Sequence, residues 1–214
     1  MNENVLIWVG IAGVAGAVIF CSNYFDKKRR EAIAESLSRM GFSFEPGPKP
    51  PSWFSASHLP LFERGRNESA KNIGKLKVGN RELQYFDYRY TTGSGKNKST
   101  HHFSVLCLSG DLNLPEFTLG PEDIFSKIAQ GLGYDDIDVA AAPEFSKKFV
   151  LRGADKEAIQ RLFTVEATQA LMQHPNLNLE AGRGAIVRYQ RGKVDPAQLT
   201  SWIEQGKQIF SLFG

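Results

Sequence analysis

The chain has 214 residues, 42% apolar and 23% charged, with 26 basic and 23 acidic side chains and a formal net charge of +3. That length holds one globular domain of ordinary size beside a short extra segment, and the composition excludes a mostly disordered chain. The small net charge excludes a dedicated nucleic-acid binder. The two cysteines, Cys21 and Cys107, exclude a disulfide framework or a cysteine-built zinc site and suit a reducing compartment.

Residues 5–21 read VLIWVGIAGVAGAVIFC, without charge or proline, and the uncharged stretch continues to Phe25. About 20 residues at roughly 1.5 Å each span a hydrocarbon core, so a transmembrane helix over 1–25 is expected. The leader Met-Asn-Glu-Asn lacks the positive charge of a cleaved signal. Lys27, Lys28, Arg29 and Arg30 follow, and the positive-inside rule then places the N-terminus outside and the remainder in the cytoplasm. The expectation is a single-pass protein of the cell inner membrane, integral to it. The four basic residues either only hold topology or also contact anionic headgroups at about 1 kcal/mol each.

Residues 26–51 are expected to form a basic helix followed by a proline-rich spacer. Ile33, Leu37 and Met40 recur at helical spacing and Gly41 supplies a stop. That stripe lies either on lipid or on the domain. The run PGPKPP over 46–51 is an extended spacer or an ordered crossing strap.

Residues 52–214 carry the folded domain. RELQYFDYRY (81–90) and THHFSVLCLS (100–109) are rich in aromatic and β-branched residues and read as strands. The stretch TTGSGKNKST between them hints at a phosphate-binding loop. Such a loop needs glycine five places before its Gly-Lys glycine and Ser or Thr after the lysine, whereas Tyr90 and Asn97 stand there. It is the tip of a β-hairpin, basic through Lys96 and Lys98. His101 and His102 are adjacent, so on a strand they face opposite sides and cannot pair around a metal.

FTLG (117–120) reads as a short strand, and Pro121 opens a helix to about Leu132. GYDDIDV (133–139) lacks the alternating ligands and central glycine of a calcium loop. EFSKKFVLRG (144–153) reads as a strand, and Asp155 caps one helix carrying Ile159, Leu162, Phe163, Ala170 and Leu171. LNLEAGRGAIVRYQRG (177–192) is a hairpin around Gly182-Arg183-Gly184. Asp195-Pro196 starts a final amphipathic helix with Leu199, Trp202, Ile203, Ile209, Phe210 and Phe213 on one side. The fold class expected is α+β: the transmembrane helix, then an antiparallel sheet of six or seven strands with a C-terminal amphipathic helix. A curved sheet in the manner of pleckstrin-homology-like domains is one arrangement that fits.

The segments 86–105, LPEFTLGPE (114–122), 133–153 and the closing hairpin together resemble a family of uncharacterised bacterial single-pass membrane proteins with a cytoplasmic α+β domain. The resemblance covers nearly the whole chain. It implies the layout above and no catalytic or binding residue.

No nucleophile site, carboxylate pair or dinucleotide fingerprint appears in the sequence. Cys107 lies five and six residues from His102 and His101 on one strand, too far to pair, and reads as a buried structural thiol. The chain is therefore read as a non-catalytic interaction or scaffold domain without cofactor or metal. The second reading is a lipid-headgroup or small-anion module. Its contacts would come from Lys27, Lys28, Arg29, Arg30, Lys96, Lys98 and Arg183, with Lys147, Lys148, Arg188, Arg191 and Lys193 as further basic positions. The third is an enzyme of unrecognised type. A protein partner or anionic lipid is expected, and no nucleic acid.

Overall fold

The computed structural model describes the backbone of residues 3–50, 55–122 and 134–214, and the side chains of those residues except 3–19, 22, 55 and 57. The first helix, α1, runs Glu3–Arg39. It stops where Gly41 takes a φ of 82°, a left-handed conformation that costs a residue without a Cβ little. Three residues of strand β1 follow, Ser43–Glu45. The Pro-rich run is an ordered strap: Lys49 and Ala70 exchange backbone hydrogen bonds at 2.9 and 2.8 Å, and Asn72 donates to the Pro46 carbonyl at 3.0 Å.

Strands β2 (Arg66–Val78), β3 (Arg81–Thr92) and β4 (Ser99–Ser109) form a meander. The β3–β4 register is unbroken from Glu82 opposite Ser109 to Thr92 opposite Ser99, so the glycine-rich stretch is the tip of a hairpin, as its flanks predict. β2 is not evident in the sequence. Its pairing with β3 shifts between Arg66 and Ser69 and again between Lys71 and Gly74, and each bulge interrupts the two-residue alternation that marks a strand.

Strand β5 is Phe117–Pro121, and the helix expected from Pro121 to Leu132 lies outside the described residues. The strand expected over 144–153 is split. Pro143 sits at the start of a one-turn helix, α2 (Pro143–Ser146), and β6 covers only Phe149–Gly153. The helix expected after Asp155 is two helices, α3 (Lys156–Leu162) and α4 (Val165–Met172). Asp155 accepts from Ala158 N at 2.9 Å, and Thr164 caps the second by accepting from Ala167 N at 3.2 Å.

β7 (Asn178–Gly182) and β8 (Ala185–Arg191) form the last hairpin. Its two central residues, Arg183 and Gly184, have φ of 47° and 78°, the pair of positive values that a type I′ turn demands. Helix α5 (Leu199–Ser211) follows a single 3-10 turn at Pro196, with Asp195 accepting from Ala197 N at 2.9 Å.

Among the described residues eight strands join one antiparallel sheet in the order β1-β2-β3-β4-β8-β7-β5-β6. Both its faces are covered. On one, Leu83, Tyr85, Leu106, Leu179 and Ile186 meet Ile33 and Leu37 of α1 and Leu199, Trp202 and Ile203 of α5. The stripe on α1 therefore packs on the domain: Ile33 and Leu37 are wholly buried, each contributing about 1.5–3 kcal/mol. On the other face Phe86, Tyr88, Phe103, Val105 and Tyr189 lie under a lid of 3-10 turns bearing Leu59, Leu61 and Phe62. The sheet is thus larger than expected, and its two covers are a helical layer and a short irregular one, not the C-terminal helix alone.

The membrane reading is corrected. Among the described residues no helix is long and apolar enough to cross a membrane. The described side chains of α1 begin at Phe20, and from Asp26 onward they include eight charged residues up to Arg39. A span asks for about 20 consecutive, mostly apolar residues, and each charge at its centre costs about 2.5–3.5 kcal/mol. The expectations of a transmembrane helix over 1–25, of an integral membrane partnership and of a single-pass inner-membrane location with an outward N-terminus are not supported. The boundary expected at residue 25 falls inside α1, whose C-terminal half belongs to the packed domain.

Candidate functional site

Alternation along β3 puts Asp87 on the helical face together with Leu83 and Tyr85. Its carboxylate collects side chains from four elements. Arg29 of α1 donates to both oxygens. Asn72 donates to Oδ2 at 2.8 Å, while Tyr85 and Ser104 donate their hydroxyls to Oδ1 at 3.0 and 3.1 Å. Ser104 Oγ in turn accepts from the backbone N–H of Val194 at 2.9 Å, and Arg29 donates to the Val194 carbonyl at 3.0 Å. The network ties α1, β2, β3, β4 and the approach to α5 at one point. Burial opposes the charge on Arg29, yet the hydrogen bond and charge of Asp87 hold its pKa above the ordinary arginine value. Burial, then the Asp87 charge, pushes the Tyr85 phenol up. A carboxylate with five donors has no free lone pair for a reacting group.

Next to this knot lies a groove of about 600 Å³ between α1, the strap and strands β2–β4. Lys27, Arg29 and Arg30 enter it from α1, Lys71 from β2, Arg89 from β3 and Lys193 from beyond β8. The carboxylates lining it are Asp26 and Asp87, and Asp87 is taken up by Arg29. Lys193 pairs loosely with Asp26 at 3.4 Å, and Arg89 donates to Ser69 Oγ at 2.9 Å. His102 faces the same groove. Burial, then the charges of Lys193 and Arg89, hold it below the usual histidine range. Burial is the larger cause, and the two cations add to it against the opposing charges of Asp87 and Asp26.

The basic positions singled out in the sequence separate into three groups. Lys27, Arg29 and Arg30 reach the groove, with Arg29 already committed to Asp87. Lys28 instead lies over the Tyr24 ring, 5.9 Å from its centre. Lys96 and Lys98 stand exposed on the hairpin tip, away from the groove, and Arg183 on its turn pairs with Glu116 at 2.8 Å. Lys71 and Arg89 escaped notice in the sequence because they lie on separate strands, β2 and β3, and only strand pairing puts them beside α1. His101 and His102 do part company: His101 takes a hydrogen bond with Thr92 at 2.8 Å and packs on Tyr90, while His102 lines the groove.

A second buried carboxylate lies on the opposite face. Glu180 has no exposed surface and accepts from Leu61 N at 2.7 Å, from Tyr189 OH at 3.0 Å and from Arg64. Arg64 also lies over the Tyr189 ring, 5.5 Å from its centre. Burial opposes the Arg64 charge and the Glu180 carboxylate raises its pKa. This pair clips the 3-10 lid to the sheet. Along 177–181 Leu177, Leu179 and Ala181 alternate with Asn178 and Glu180, and both sides of the strand are buried. Cys107 is wholly buried and burial pushes its thiol well above the ordinary range, as a structural thiol requires. Among the described residues no group of three His, Cys, Asp or Glu side chains is placed to hold a metal ion.

No family model matches the chain, and no curated protein matches it, so the family resemblance rests on the sequence alone. Among solved structures it is similar to the crystal structure of the mycobacterial trehalose monomycolate transport factor A, TtfA. The TM-score is 0.59 over 86% of this chain and 92% of that one, at 12% identity. At that identity the likeness is one of fold.

Proposed function

We propose that this chain is a non-catalytic binding domain that holds a partner through a phosphate-class anion seated in the basic groove. The observation that carries the reading is the convergence of Lys27, Arg30, Lys71, Arg89 and Lys193, from four separate parts of the chain, on one cleft, where Lys193 and Arg89 add to burial in lowering the pKa of His102. Cations gathered this closely repel one another, and an anion relieves that repulsion. The two buried carboxylates are consumed by structural bonds and offer no general acid or base. The structure of like fold is described as a transport factor, a role that a binding domain can fill. Anionic groups on an acidic or phosphorylated protein surface fit this cleft, as do small phosphates.

The test is calorimetric titration of the full chain with pyrophosphate over a salt series, repeated with Lys71→Ala/Arg89→Ala/Lys193→Ala. The expected result is saturable binding that weakens as salt rises and falls at least tenfold in the triple variant. Equal affinity in the two proteins refutes the reading.

A further inference from the structure

A second cavity, of about 510 Å³, opens where β7 begins. Asn178 is the first β7 residue and pairs with Tyr189, so Gln190 and Arg191 of β8 have no partner on that side. The chain from Gln173 to Leu177 roofs the gap, and aromatic side chains of Tyr90, Phe103, Tyr189 and Trp202 form its walls. The volume is within the range of about 300–1,000 Å³ typical of small-molecule sites.

Arg188 lines this cavity from the helical face of the sheet. It is 8% exposed. Its guanidinium donates to the Trp202 carbonyl at 2.8 Å and to Gln205 Oε1 at 3.3 Å, and lies 4.7 Å from the centre of the Trp202 ring. Both acceptors are neutral. Among the described residues no carboxylate pairs with Arg188, and none lines the cavity. Burial alone lowers its pKa to about 10, with no acid raising it again, so it stays charged at neutral pH. The half-buried arginines Arg29 and Arg64, by contrast, each have a carboxylate. A second donor on this cavity is also unmet: the Trp202 indole N–H is buried without an acceptor. Burial, then the Arg188 charge, keeps His174 below its usual range on the roof.

We propose that this cavity binds a monocarboxylate carried on an apolar body, with the carboxylate on Arg188. A buried guanidinium with unused N–H groups matches the planar fork of a carboxylate. One buried cation balances one negative charge. A phosphate dianion leaves a second charge for Arg191, which is exposed and screened by solvent. The aromatic walls take the apolar body. The site shares Phe103 with the lining of the basic groove but none of its charged residues, and does not depend on the reading of that groove.

The experiment is calorimetric titration of the full chain with octanoate, octanol and acetate at fixed salt. Octanoate is expected to bind saturably at one site, and octanol and acetate at least tenfold more weakly, since one lacks the charge and the other the body. Arg188→Met is expected to lose at least tenfold for octanoate and to abolish the preference over octanol. Asn176→Trp, at an exposed position on the rim, blocks the mouth without touching the core and decides the matter if Arg188→Met does not fold. The groove variant Lys71→Ala/Arg89→Ala/Lys193→Ala is expected to keep octanoate binding. Equal binding of octanol, full binding by Asn176→Trp, or loss of octanoate binding in the groove variant overturns the assignment.

Discussion

Replacing Asp87 by alanine is the most direct trial of how α1 is held to the sheet. The change strands the Arg29 guanidinium, whose side chain is 17% exposed, and takes the acceptor from Asn72, Tyr85 and Ser104. Breaking a buried ion pair by removing one partner costs about 3–5 kcal/mol. Two features place this site near the lower end. Arg29 keeps some contact with water, and the Tyr85 and Ser104 hydroxyls, 3.3 Å apart, can satisfy each other. The expected loss is about 3 kcal/mol, a large part of a total stability of about 5–15 kcal/mol. In urea unfolding followed by circular dichroism that loss lowers the midpoint by roughly 1–2 M at unchanged slope. The double variant Arg29→Met/Asp87→Ala removes the stranded charge and is expected to recover more than about 1 kcal/mol of it. A single variant within about 1 kcal/mol of the parent, or a double variant as weak as the sum of both, refutes the account of this knot.

Three further outcomes follow from the same structure. Glu180→Gln keeps the shape but leaves Arg64 charged without its counter-ion, so a loss of about 3 kcal/mol is expected in the same urea assay, with earlier proteolysis of the lid near residues 55–62. A thiol reagent on the native full chain is expected to modify exposed Cys21 quickly and buried Cys107 only on unfolding; rapid modification of both contradicts the packing of β4. His102 has a folded-state pKa below its unfolded value, so the stability it contributes is present above the unfolded value of about 6.5 and is lost as pH falls from there through the lower folded value. Pyrophosphate in the groove is expected to raise that pKa in an NMR titration, and an unmoved or lowered value counts against anion binding there.

Much of the fold was legible along the chain. The β3–β4 and β7–β8 hairpins, the stop at Gly41, the cap at Asp155 and the buried stripe of α5 are each written in neighbouring residues, because turn chemistry, caps and periodicity act over a few positions. The transmembrane expectation came from the uncharged run to Phe25 and its flanks, and such a reading is blind to the continuous helix that carries the charged residues 26–39 into the packed domain. β2 was hidden by its bulges, and α3 and α4 were merged because Thr164 is a cap only when the chain turns there.

The candidate sites were almost wholly illegible. A run of four basic residues at 27–30 draws the eye, but the sequence has no means of saying that Arg29 turns inward to Asp87, 58 residues away, while Arg30 lines the same groove as Lys71 and Arg89. Glu180 and Arg188 sit on strands whose alternation reads as half polar, and only the second cover on the sheet makes both faces dry.

Local order, the strands and helices with their turns and caps, was set by the sequence itself, since its causes are steric and act between near neighbours. Which charges are neutralised, which are left bare and where they gather was decided by the tertiary structure. Coulomb energy depends on separation and burial, and for the two buried carboxylates both are set by segments more than fifty residues apart coming together.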